Sequence, residues 1–186
     1  MKRVLWLTLA ACTLANGSAM AQSDLGLKNV GVAVGFVSPE DLDGTFSLGV
    51  FADHGLITPR VGLESRLDYW SASQRSFNGA EASVSDVTLG ARAKYYFPVD
   101  HPTLRPFAGG GLALHLVHAE VTIPAQFGNP EMTAEDSSTK LGLDLGGGIA
   151  MPMNPRWDFL GELWYSIVSD VGQFSLRAGL SYKLGS

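Results

Sequence analysis

The amino-acid sequence predicts an all-β chain: eight antiparallel strands closed into an up-and-down transmembrane β-barrel. Three observations predict it. From Lys28 onward, apolar residues alternate with small or polar ones, the period of two that belongs to strands. Past the N-terminus no window approaches a membrane-spanning helix, so a chain that crosses a membrane must do so as strands. The aromatic residues of the apolar face gather at two levels, as a lipid-facing surface with two water interfaces requires.

Residues 1–21 stand apart from this pattern. Met1, Lys2 and Arg3 form a short positive region, and residues 4–15 are apolar over a secretory length too short to span a bilayer comfortably. Ala19-Met20-Ala21 fits a signal-peptidase site, which predicts a leader over 1–21 and a barrel domain over 22–186. Leu9-Ala10-Ala11-Cys12 offers a competing site at which Cys12 would be lipidated. Cys12 is the only cysteine, so cleavage after Ala21 leaves no disulfide or thiolate chemistry. Loss of Lys2 and Arg3 also deepens the formal charge of −5, and an acidic exported chain is a poor nucleic-acid binder.

The strands follow in order. Residues 29–37 carry Val30, Val32, Val34 and Phe36 on one face, and 45–52 carry Phe46, Leu48, Val50 and Ala52. Residues 60–70 give Val61, Leu63, Leu67 and Tyr69, with Ser65 breaking the set. Residues 86–97 give Val87, Leu89, Ala91, Ala93, Tyr95 and Phe97. Residues 105–117 and 140–151 continue with Leu112, Leu114 and Leu116, then Leu141, Leu143, Leu145 and Ile149. Residues 157–167 give Trp157, Phe159, Leu163, Tyr165 and Ile167; residues 173–184 give Phe174, Leu176, Leu180 and Tyr182. Residues 53–59, 98–104 and 152–156 read as proline-containing turns. Residues 71–85 and 118–139 read as long polar loops, and 38–44 and 168–172 as short ones. An even strand count, with short turns at one end and generally longer loops at the other, is the plan of an outer-membrane barrel.

Alternation by itself leaves open a soluble barrel that turns its charges to water. Two features favour the reverse. Phe36, Phe46, Tyr69, Tyr165 and Phe174 lie toward the loop end, and Tyr95, Phe97, Trp157, Phe159 and Tyr182 toward the turn end. The second feature is a pair of glycine triplets, Gly109, Gly110, Gly111 and Gly146, Gly147, Gly148. A symmetric loop sets the triplets opposite one another as a bare patch of sheet. That patch would give volume to bulky inner-face residues and ease curvature in a narrow lumen. A phosphate-cradle reading fails, because no helix or Lys-Ser/Thr follows either triplet.

The enclosed face then carries a charge network of Glu64, Arg66, Asp68, Arg92, Lys94, Asp144, Glu162 and Arg177. Buried charges need partners. Antiparallel registers suggest Glu64 beside Arg92 and Glu162 beside Arg177, with Asp144 one strand away. A charged pore for small ions is the alternative use of the same groups. His115 and His118 lie on opposite faces and cannot share a metal. The one catalytic set the sequence allows is His118, Glu120 and Ser83 near the loop end, and nothing in its spacing demands it. No cofactor or metal is implied. Glu40, Asp41, Asp43, Glu131, Glu135 and Asp136 would be solvated loop charge or ligands for cations that bridge lipopolysaccharide. Val121 and Ile123 carry the strand pattern past the bilayer, which suggests an exposed edge on the fifth strand able to pair with a partner strand.

Residues 105–116, RPFAGGGLALHL, resemble the fifth strand of the small outer-membrane barrels of the opacity-protein and outer-membrane-protein-A-like class. Residues 177–184, RAGLSYKL, are similar to the terminal signal read by the barrel-insertion machinery, although the chain ends Leu184-Gly185-Ser186 rather than on an aromatic. The resemblance implies insertion into the bacterial outer membrane among lipid and lipopolysaccharide, with both termini in the periplasm. It implies a monomer whose loops face outside, where a host or cell-surface ligand would bind. Members of that class are adhesins, structural proteins and narrow pores, and some eight-stranded barrels of separate families modify lipid A. The reading is therefore a structural or adhesive barrel, with a narrow pore and a lipid A-modifying enzyme as alternatives.

Overall fold

A computed structural model describes residues 24–40, 43–75, 80–125, 132–169 and 171–185. The predicted leader 1–21 with Cys12, and the loop residues Asp41, Glu131 and Asp170, lie outside them. The strands are β1 (Asp24–Pro39), β2 (Thr45–Thr58), β3 (Val61–Arg75), β4 (Glu81–Tyr96), β5 (Arg105–Ile123), β6 (Met132–Pro152), β7 (Trp157–Val168) and β8 (Val171–Lys183). Each pairs antiparallel with its neighbour in sequence, and β1 pairs with β8, so the sheet closes on itself. Closure removes the free edges of the barrel wall, and with them the unpaired backbone groups that hydrocarbon does not tolerate.

The period-two pattern fixes which side faces which medium. Val32, Leu48, Leu89, Leu112, Leu141 and Leu176 are exposed on the outside, while Arg92, Lys94, Asp144 and Glu162 are buried within. This inverts the distribution of a water-soluble protein and suits a lipid surround. The aromatics of both levels line the outside, and several touch edge to face: Phe36 on Phe46 at 6.1 Å, and Trp157 on Tyr182 at 5.0 Å.

Two sequence expectations are corrected. The expected turn 53–59 is mostly strand: β2 runs on to Thr58 with register shifts near Asp53 and Leu56. Gly55 takes φ +80°, and its N–H donates to Asp53 Oδ1 at 2.8 Å, the device of a glycine bulge. The expected long loops 71–85 and 118–139 are also largely strand. The β3–β4 ladder continues to Arg75 and Glu81, and the β5–β6 ladder to Ile123 and Met132. These extensions stand in water on both faces, so they lose the apolar alternation while keeping the backbone ladder.

Together they form a four-stranded sheet projecting beyond the barrel, because β2 pairs β3 only as far as Trp70 and β7 meets β6 only from Gly142. The expected free edge on β5 is not there: β5 is paired on both sides through Thr122. Among the described residues, the edges without a ladder partner are those of β3 at 71–75 and β6 at 132–141. That of β3 is partly tied to the start of β2, through Thr45 Oγ1 to Ser71 O at 2.7 Å, and to the segment before it, through Gln74 Nε2 to Asp43 Oδ2 at 3.3 Å.

Leu112→Arg would put a charge on the hydrocarbon face. It is expected to cost about 2–4 kcal/mol at the bilayer midplane. Urea titration of the barrel folded into phospholipid vesicles measures this, and an equal charge on the projecting sheet, at Thr139, should cost far less.

Candidate functional site

The lumen is where the structure concentrates its chemistry. Its middle tier holds all eight predicted network residues, every one of them buried. Asp144 sits between two guanidinium groups, with Arg66 at 2.7 Å and Arg92 at 3.0 Å, and its other oxygen accepts from Ser166 Oγ at 2.7 Å. Asp68 is held between Arg66 and Arg177, the latter at 2.9 Å. Lys94 bridges Glu64 and Glu162, donating to Glu162 Oε1 at 2.6 Å. The tier balances four cations against four carboxylates, which is how a low-dielectric interior holds them ionised.

The backbone register does set Glu64 beside Arg92 and Glu162 beside Arg177. The short contacts pass these adjacent partners by, and Arg92 and Asp144 meet level with one another over Gly111. Arg92 reaches Asp144 rather than Glu64, and Arg177 reaches Asp68 while standing 4.0 Å from Glu162. Long side chains in a narrow tube meet across its axis as readily as along its wall. Aromatic rings complete the packing. The Arg92 guanidinium lies 3.9 Å over the Trp164 ring, the Lys94 ammonium lies 4.7 Å over Phe107, and Trp164 Nε1 donates to Glu162 at 3.3 Å. The cavities beside this tier measure about 40 Å³ and 20 Å³, room for a water or so each.

The glycine triplets lie around this tier, but not face to face. Gly109 opposes Gly146, whereas Gly111 opposes Asp144 and Gly148 opposes Phe107, so the triplets are staggered along the barrel. Their inner-face members stand where bulk is impossible. A Cβ on Gly146 would lie 2.3 Å from Leu163 O and 2.7 Å from Trp164 Cε3; one on Gly111 would lie 2.2 Å from Ala91 O and 2.8 Å from Arg92 Cγ. Gly110 and Gly147 fall on the outward face of the same strands.

Two smaller tiers flank the network. At the turn end Asp158 takes Arg105 at 2.9 Å and Lys183 at 2.7 Å. Toward the projecting end His115 Nδ1 lies 2.7 Å from Asp86 Oδ2 and 3.0 Å from Thr88 Oγ1, and Thr88 donates to Asp86 at 3.1 Å. A carboxylate only accepts, so Nδ1 carries the proton and Nε2 is left with a lone pair when the ring is neutral.

The predicted catalytic set is not assembled as expected. Ser83 opposes Glu120 in the β4–β5 ladder, while His118 opposes Ser85 and Ser137. The bond His118 makes is to Ser137, Nδ1 to Oγ at 2.9 Å, and none to Ser83 is present among the described residues. The sequence also hid a pair on the outer face: His54 Nε2 meets Ser65 Oγ at 2.8 Å across β2 and β3, so Ser65, the break in its strand's apolar set, has a partner. Among the described residues no group of three or more His, Cys, Asp or Glu could hold a metal.

Residues 7–183 match the family model described as the outer membrane protein beta-barrel domain. The fold is similar to that of Neisserial surface protein A, with TM-score 0.62 and 17% identity over 84% of this chain and 96% of that one. It is similar to a major outer membrane protein from Thermus thermophilus, with TM-score 0.59 and 16% identity over 86% and 100% of the two chains. It is also similar to Ail, the attachment invasion locus protein of Yersinia pestis, solved in complex with the heparin analogue sucrose octasulfate. There the TM-score is 0.54 and the identity 14%, over 85% and 97%. At these identities the likeness is one of fold. No curated protein matches the sequence.

Asp144→Leu strands two guanidinium groups and is expected to destabilise the barrel by about 3–5 kcal/mol. Arg92→Leu should destabilise it too, and the double variant should cost less than the sum of the two, as a cycle of urea midpoints would show. Gly146→Val should cost at least about 1–3 kcal/mol by overpacking against the β7 backbone. Equal midpoints for Gly146→Val and wild type would contradict the spacing role of that glycine.

Proposed function

The chain belongs to the outer membrane protein β-barrel domain family, and on that footing we propose a structural and surface-adhesive barrel with a closed lumen. The carrying observation is the division of the molecule into a sealed half and an open one. The middle tier of the lumen pairs its charges, and the cavities beside it are water-sized, which supports a plug rather than an ion path. The projecting sheet instead presents a β6 edge, 132–141, with no ladder partner on that side among the described residues, and with Val121, Ile123 and Met132 exposed nearby. An open edge recruits a partner by strand addition, with main-chain hydrogen bonds supplying affinity.

The same reading places the protein in the bacterial outer membrane, exported by the leader 1–21 and inserted as a monomer through its last strand. The short-turn end with both termini then faces the periplasm and the projecting sheet faces outside, among lipopolysaccharide. Ail was solved with a sulfated heparin analogue. The projecting sheet here carries exposed Glu135 and Asp136, with Glu120 half buried, so a polyanion would meet like charge and a protein edge is the better match.

Replacing residues 119–136 with a tight turn tests the reading. The shortened barrel should keep its heat-dependent gel mobility, and adhesion of cells displaying it to host-cell monolayers should fall at least tenfold. Planar bilayers holding the intact protein should show no discrete conductance steps. Undiminished adhesion would remove the adhesive role, and regular conductance steps would replace the plug with a pore.

A further inference from the structure

The apolar pattern of the barrel wall ends where the sheet leaves it, but the apolar residues beyond that line are sorted by face. Residues paired across an antiparallel ladder share a face, and the face alternates along each strand. Asp86 and His115 mark the lumen side, because both are buried within. Beyond them the lumen-side positions of β4, β5 and the end of β6 are Val84, Val117, Ala119, Val121, Ile123 and Met132. Gln74, Ser138 and Asp136 are the polar members of that face, on the flanking strands β3 and β6. The opposite face at the same height carries Ser83, Ser85, His118, Glu120, Thr122 and Glu135. In the bilayer the outward side is apolar; in the projecting sheet the lumen side is. Val121, Ile123 and Met132 are exposed there, and neither the plug nor the β6 edge accounts for them.

At its base this face runs into a cavity of about 200 Å³, bordered by Val84, Val117, Val168 and Lys140. Of the charged groups around that cavity, the acids are spent. Asp86 is held by His115 and Thr88, and Glu40 accepts the N–H of Gly172 at 2.8 Å. Lys140 is half-buried and makes no ion pair or hydrogen bond among the described residues. Its ammonium is not one of the sealed, unpartnered groups of the lumen and so stays open to a ligand. The remaining acid of the lumen-side face, Asp136, is exposed and lies about 13 Å further out along β6.

An unspent cation at the base of an apolar face selects a ligand with the complementary parts, an anionic head and an apolar tail. From Val117 to Ile123 the apolar face runs about 20 Å along β5, the scale of an extended hydrocarbon chain. We propose that the lumen-side face of the projecting sheet binds a single-chain anionic amphiphile, a fatty acid. Its carboxylate meets Lys140 and its chain lies outward over Val117, Val121 and Ile123. The outer medium is the source. The plugged tier closes the way from below, and the sheet turns its polar face toward the surrounding lipid surface, so a two-chain lipid would have to draw both chains past it. The ladders of β7, β8, β1 and β2 end lower, which among the described residues leaves the lumen-side face open to the medium.

The test uses a polarity-sensitive fluorophore on a single cysteine, in a chain that has none after Ala21. Ala134→Cys puts it on the lumen-side face and Thr133→Cys on the opposite one. The labelled barrels, in phosphatidylcholine nanodiscs, are titrated with laurate, dodecanol and dodecylamine, with dilauroyl phosphatidate as a two-chain competitor. Laurate should shift the emission at 134 to the blue, saturably, and leave that at 133 unmoved. Laurate should bind at least tenfold more tightly than dodecylamine, with dodecanol between them, and phosphatidate should displace it poorly. Lys140→Met should bring laurate down to the level of dodecanol, and Val121→Asn should weaken both, each variant keeping its heat-dependent gel mobility. A loss of fold would lower all three ligands together, whereas loss of the carboxylate preference alone reports the ammonium. No saturable shift at 134, an equal shift at 133, dodecylamine binding as tightly as laurate, efficient displacement by phosphatidate, or an unchanged preference in Lys140→Met would each overturn the proposal.

Discussion

A tube of eight strands is too narrow to keep its inner charges hydrated, so each ionised group inside must be neutralised by another side chain. This constraint organises the molecule. Four cations and four carboxylates share one tier, and three of the acids, Asp68, Asp144 and Glu162, each touch more than one cation. Removing any member leaves a buried charge rather than a merely absent contact. The glycine triplets serve the same constraint from the wall side. Gly111 and Gly146 leave the space that Arg92 and Trp164 occupy, and the stacking of that guanidinium on that indole fills what the ion pairs do not.

Much of this was legible in the sequence, for a physical reason. Where one face of a strand meets lipid and the other meets the lumen, the two environments differ so sharply that side chains record the alternation residue by residue. The eight strands, the two aromatic levels and the membership of the charge tier all follow from it. Where both faces meet water the record vanishes. Residues 71–75 and 132–139 are strands written in polar residues, and they read as loops although their ladders are intact. The partners inside the tier were not legible either. Glu64 and Arg92 are neighbours in the ladder, yet Arg92 reaches over the bare Gly111 to Asp144 on the next strand but one, and Arg177 crosses the lumen to Asp68, where no register leads. The bond between His118 and Ser137 depends on the true length of the β5–β6 hairpin, which the polar extension concealed.

The lumen also grades from closed to open. The turn end is tied by Asp158 to Arg105 and Lys183, the middle holds only small cavities of about 40 and 20 Å³ beside its ion pairs, and a larger one of about 200 Å³ lies beneath the projecting sheet. Rigidity is therefore concentrated where the wall must hold its shape in lipid.

Which side of the wall meets hydrocarbon can be measured residue by residue, because the chain after Ala21 contains no cysteine of its own. Nitroxides placed singly at Leu112 and Ala113, which are 58% and 2% exposed, would report on neighbours in sequence that point to opposite media. In phospholipid nanodiscs the spin at 112 should be relaxed by dissolved oxygen and not by a water-soluble nickel chelate, and the spin at 113 should be immobile and shielded from both. Strong relaxation at 112 by the nickel chelate, in a chain that stays monomeric without detergent, would mean that leucines face water and that the barrel is inside out from the one described.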